Sequence, residues 1–166
     1  MRGFVLSGVA IALLLQGCSP PPPPDNEAEV VLEGPELVEG LGSAVVETEA
    51  SGEAGDYTFS VTVKSNDTGC DRYADWWEVI TPEGELLYRR ILAHSHVDEQ
   101  PFTRSGGPVA VEADDEVLVR SHVNPDGYSS QAMRGSVSEG FSSTTLPEDF
   151  ALELADAEPQ PGNCAF

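Results

Sequence analysis

Basic residues are scarce in this chain: Lys and Arg number 8 against 29 Asp and Glu, for a formal net charge of -21 at pH 7. A field of that sign repels phosphate backbones and anionic headgroups, which excludes nucleic acid as an electrostatic partner and disfavours charge-driven membrane binding. A well-solvated surface is the ordinary consequence of so many carboxylates. Also missing are a Gly-x-Ser-x-Gly nucleophile elbow, a phosphate-binding loop and a His-Glu-x-x-His zinc helix. With three histidines and none of these constellations, a non-enzymatic protein without a cofactor is expected, and a hydrolytic enzyme ranks third among the readings. No segment has helical periodicity, and no repeat recurs. The acidic turns Asn66-Asp67-Thr68 and Asn124-Pro125-Asp126-Gly127 offer carboxylates for Ca²⁺, but neither has the twelve-residue spacing of an EF-hand loop.

What is present begins with a leader. Met1-Arg2 supplies a positive start and Phe4 to Leu15 a mostly apolar run. That run is shorter than the roughly 20 residues that span a bilayer, so it reads as a signal peptide. The junction Leu15-Gln16-Gly17-Cys18 resembles a bacterial lipobox, in which leucine, a tolerant position and a small residue precede a cysteine. The resemblance implies removal of residues 1–17, a diacylglyceryl group on the thiol of Cys18 and acylation of its new amino terminus. Several acyl chains on one residue anchor stably where a single chain does not. Ser19, where lipoproteins retained in the inner membrane of many Gram-negative bacteria carry Asp, implies sorting to the outer membrane. Pro20 to Pro24 then form a stiff polyproline spacer, within an acidic linker over residues 18–43.

The remainder, residues 44–156, reads as one domain. Tyr57, Phe59, Val61 and Val63 alternate with Thr58, Ser60, Thr62 and Lys64, the period-two pattern of a half-buried antiparallel strand. Ala44 to Ala50 precedes it. A hairpin follows, Asp75 to Thr81 and Leu86 to His96, turned at Pro82-Glu83-Gly84-Glu85. Trp77 and Val79 share one face of its first strand, and Trp76, Glu78 and Ile80 the other. In the second strand, Leu87, Ile91, Ala93, Ser95 and Val97 are assigned to the core face. Asp98 to Gly107 reads as a polar connection and Pro108 to Ala113 as a strand. Val117, Val119, Ser121 and Val123 point inward along the next, with Arg120 and His122 outward. Gln131 to Ser138 reads as a returning strand, and Phe150, Leu152 and Leu154 as the inner face of a last one.

Seven to eight strands separated by turn signals predict an antiparallel β-sandwich. Glu116 to Tyr128 resembles the penultimate strand and following turn of fibronectin type III domains, and a tryptophan at Trp77 on the third strand is an immunoglobulin-like feature. The expected fold class is therefore all-β, immunoglobulin or fibronectin type III-like.

With Cys18 taken by lipid, Cys70 and Cys164 remain, and two thiols in an oxidising compartment are most simply a disulfide. It would tie the tail, residues 157–166, to the loop before the tryptophan strand. Two further sites are candidates. His94 and His96, about 6.5 Å apart along a strand, with His122 as third ligand, would suit Zn or Cu. Tyr73, Trp76, Tyr88 and Tyr128 would form an aromatic platform for a glycan or peptide; their structural alternative is cross-strand packing. The leading expectation is a lipid-anchored structural or protein/glycan-interaction module at the outer membrane, and the runner-up is a periplasmic Zn or Cu binding protein using His94, His96 and His122.

Overall fold

The computed structural model describes residues 42–165; the leader, Cys18 and the proline run lie outside the described residues. Nine strands follow in order: β1 (Ser43–Glu53), β2 (Asp56–Ser65), β3 (Tyr73–Ile80), β4 (Leu86–Ile91), β5 (Phe102–Val109), β6 (Val117–Asn124), β7 (Gly127–Tyr128), β8 (Gln131–Ser136) and β9 (Gly140–Thr145). A short 3-10 helix, Leu152–Asp156, comes after them. All strand pairs are antiparallel. One sheet has the order β1-β2-β5; the other runs β4-β3-β6-β8-β9, with β7 beside β6. The chain therefore crosses between sheets after β2, after β4 and after β5, and the two sheets form a β-sandwich.

Alternation along β2 puts Phe59, Val61 and Val63 into the sandwich, all fully buried. They meet Trp77 and Val79 of β3, Val117, Val119 and Val123 of β6, and Phe102 and Val109 of β5 in one cluster. Burying each such side chain contributes about 1.5–3 kcal/mol. Trp77, fully buried, is the largest member.

All eight residues of β3 are buried, so both of its faces are covered. Its outer face, with Ile80, joins Leu118, Ala132 and Leu146 in a second apolar cluster, against which Leu86, Phe150 and Leu154 pack. The segment after β9 thus forms a partial third layer. Gly84, at φ +90°, makes the β3–β4 turn, and a Cβ there would fall 2.9 Å from the Cβ of Ala151 in that layer.

Four expectations are corrected. Phe150 to Ala155 is a turn and a 3-10 helix: Phe150 and Leu154 pack on the sheet while Leu152 stays 49% exposed, so the apparent alternation is not two-sided. The strand expected at Pro108 to Ala113 is β5, which lies earlier. Its polar residues suit an edge strand, and Gly106 leaves room for Tyr88, whose Oη would lie 2.5 Å from a Cβ there. In β4 the faces are exchanged: Tyr88 pairs with Val79 and Arg90 with Trp77, while Leu92 is buried and Val97 is half exposed. Finally, β9 falls between the strand expected at Gln131 to Ser138 and the one expected from Phe150, where no strand was expected; as an edge strand with Phe141 its one large apolar residue, it carries no alternating pattern.

Candidate functional site

Of the residues that the histidine and tryptophan pattern singled out, the outer face of the large sheet holds Trp76 and His122. At its centre is a charged row across three strands. Glu78 on β3 pairs with Arg89 on β4 and with Arg120 on β6. Arg89 donates from Nε (2.9 Å) and Nη2 (2.6 Å) to Glu78 Oε2, and Arg120 from Nε (2.9 Å) to Oε1. The side chains of Glu78 and Arg89 are fully buried, and that of Arg120 is nearly so. Ionised groups out of water are tolerated only when paired and hydrogen-bonded, and here both carboxylate oxygens are engaged.

Two guanidinium groups on one carboxylate leave an excess positive charge, and backbone carbonyls of the C-terminal segment compensate it. Arg89 donates to Leu154 O (2.6 Å), Ala157 O (2.6 Å) and Pro159 O (3.2 Å). Arg120 donates to Phe150 O (2.7 Å) and Ala151 O (2.9 Å). The cluster therefore fastens the segment to the sheet. Cys70 and Cys164 close the same segment covalently, with Cα atoms 5.6 Å apart, as expected from the cysteine count. Ala165 N donates to Ala93 O beside that bond.

Aromatic rings flank the row. Trp76 stacks on His122 with centroids 3.7 Å apart, and the Arg89 guanidinium lies 4.5 Å from the Trp76 ring. Tyr128 meets His122 edge-on and carries the Arg120 guanidinium 3.5 Å over its face. Burial, and then the Glu78 carboxylate, push the Tyr128 phenol up to about 12. His122 Nδ1 lies 2.7 Å from Asp75 Oδ1, an arrangement that orients an imidazole as in a catalytic dyad. Among the described residues, however, no hydroxyl or thiol hydrogen-bonds its Nε2, so the contact positions the ring against Trp76.

Trp76 is 3% exposed and Tyr73 4%, and Tyr88 lies against Trp77 inside the sandwich. The four aromatics accordingly do not form an exposed platform: Trp76 and Tyr128 meet edge-on with centroids 6.1 Å apart beside the charged row, and Tyr88 packs inside the sandwich, which corrects that expectation. The histidines also separate. His94 and His96 lie in the loop after β4 with ring centroids 4.5 Å apart, whereas His122 sits on β6 with Asp75 and Trp76. His96 points inward and stacks on Phe102 at 3.7 Å. Among the described residues, no group of three or more His, Cys, Asp or Glu side chains is arranged to hold a metal ion.

Asp67 organises that loop. Its Oδ1 accepts from Ser65 Oγ (2.7 Å) and Ala74 N (2.9 Å), and its Oδ2 from His96 N (2.7 Å). These protein donors take the place that a Ca²⁺ would need. Asp126 of the other acidic turn is engaged by Arg72 Nε at 2.8 Å. Glu78, Arg89, Arg120 and Asp75 were not singled out as site residues from the sequence, and Asp67 only as a carboxylate of an acidic turn. Their signal was there in part, since Glu78 interrupts an apolar strand, and Arg89 breaks the apolar alternation of its own.

Fold and site together define a disulfide-closed antiparallel β-sandwich whose C-terminal segment is held by a buried Arg-Glu-Arg cluster. A 75-residue stretch of the chain is 48% identical to a protein of Halomicrobium mukohataei described as "Putative lipoprotein". The match covers 45% of this chain and 37% of that relative, so the chain spans little more than a third of its length. No protein-family model matches the chain, and no solved structure matches it significantly.

Proposed function

We propose that this chain is a lipid-anchored protein of the cell envelope, tethered through Cys18, whose sandwich serves as a non-enzymatic structural or protein/glycan-interaction module. The observation that carries the reading is the agreement between Leu15-Gln16-Gly17-Cys18 and the description of its 48% identical relative. A disulfide between Cys70 and Cys164 supports it, because such bonds persist in oxidising compartments outside the cytosol. Among the described residues, no helix is long and apolar enough to cross a membrane. The lipid is therefore the attachment this reading relies on. Placement in the outer membrane is the finer part of the proposal and rests on Ser19. Fractionation of cells producing the wild type and Cys18→Ala tests the anchor: the wild type is expected with membranes and the variant in the soluble fraction. Equal membrane association of both would overturn it.

A further inference from the structure

Where the edge strands β4 and β5 of the two sheets approach each other, a cleft of about 180 Å³ is lined by Arg90, Ile91, Leu92, Ala93, His94, His96 and Arg104. Every titratable side chain on that lining is a base, in a chain with 29 acids and 8 Lys and Arg. Arg90 is exposed and makes no hydrogen bond or ion pair among the described residues.

His96 is the second observation. It is 3% exposed, yet neither ring nitrogen has a hydrogen-bond partner. Its Nδ1 is 3.9 Å from Asp67 Oδ2, beyond hydrogen-bond range. Buried polar groups in folded proteins are nearly always satisfied, so an imidazole left without partners at the wall of a cleft calls for one.

The rim also displays the chemistry it accepts. Arg104 Nη1 and Nη2 hold the two carboxylate oxygens of Glu99 at 3.2 and 2.8 Å, the forked geometry of guanidinium and carboxylate. Glu99 is 58% exposed at its side chain, and so exposed a pair is weak enough to exchange. Ile91, Leu92 and Ala93 supply an apolar wall beside the bases.

We propose that this cleft is a binding site for a small carboxylate, with Arg90 and Arg104 clasping the anion and His94 and His96 donating to it from within. The inference is independent of the lipid anchor. It also replaces the expectation of a metal at His94 and His96, because two guanidinium groups on the same lining repel a cation. Burial, then Arg104 and His94, lower the proton affinity of His96, against opposing contributions from Asp67 and Glu99.

The test is an acetate titration of the full-length, detergent-solubilised protein at constant ionic strength, followed by the imidazole NMR signals of its three histidines. His94 and His96 should shift saturably and His122 should not. Arg90→Gln should weaken binding about tenfold, the cost of one charge-assisted contact. Glu99→Gln, which frees Arg104 and removes a competing carboxylate, should tighten it several-fold. A flat His94 and His96 response would overturn the proposal, as would a response unchanged by Arg90→Gln. Saturation by Zn²⁺ instead of acetate, weakened by Glu99→Gln, would return the site to a metal and overturn it equally.

Discussion

Glu78 is a residue whose loss the structure tolerates poorly. Its carboxylate is fully buried between Arg89 and Arg120, and removing one partner of a buried charge pair leaves an uncompensated ion. Glu78→Ala should therefore lower the unfolding free energy by about 3–5 kcal/mol, as measured by denaturant titration; a change below 1 kcal/mol would mean that the cluster does not hold the fold. His96 should govern part of the acid response. Its proton affinity in the folded state is lowered, first by burial, so the unfolded chain takes up a proton before the folded one. The resulting stability is complete above the ordinary histidine value of about 6.5 and is lost as the pH falls below it. His96→Phe, which keeps the stack on Phe102, should flatten the wild-type decline below about pH 6.5. Parallel curves for the two proteins would remove His96 from the account.

Among the elements, the C-terminal segment distinguishes this sandwich, since it covers the outer face of β3 and β6 that would otherwise face water. In the chain-entropy model, the 94-residue separation of Cys70 and Cys164 makes their bond worth up to about 4 to 5 kcal/mol, and often less in practice. Cys164→Ser should accordingly raise hydrogen exchange at the amides of Leu154 and Ala157, while those of β2 and β3 stay protected. Uniform loss across both sheets would show that the segment and the sandwich open as one unit. These elements also explain what could be read from sequence. The β2 alternation was legible because one face is apolar and the other polar, and Trp77 was legible as core because of its position beside Val79. The exchanged faces of β4 were not, because Arg89 is buried by a cross-strand partner and not by apolar character. Nor was the depth of Trp76 and His122: they do face outward from the sheet, but a segment distant in sequence, fastened through Arg89 and Arg120, covers that side. The Cys70–Cys164 bond needed only counting. The basic cleft between β4 and β5 is assembled from residues of two sheets, a proximity that strand patterning alone does not reveal.

At the scale of the whole molecule, charge and attachment pull in different directions. A net charge of -21 is unfavourable for adhesion to anionic lipid, and its reach shrinks to about 8 Å at physiological ionic strength. The membrane residence proposed for this chain would then need a hydrophobic anchor, for which Cys18 with its lipid is the candidate; two or more acyl chains hold a protein stably where charge would not. The most direct measurement is the fraction of full-length protein retained on membranes after a high-salt wash, compared between the wild type and Cys18→Ala. The wild type should remain bound and leave only on detergent extraction, while the variant should appear in the supernatant. Retention of Cys18→Ala through the same wash would contradict the lipid anchor, and with it the central claim about this protein.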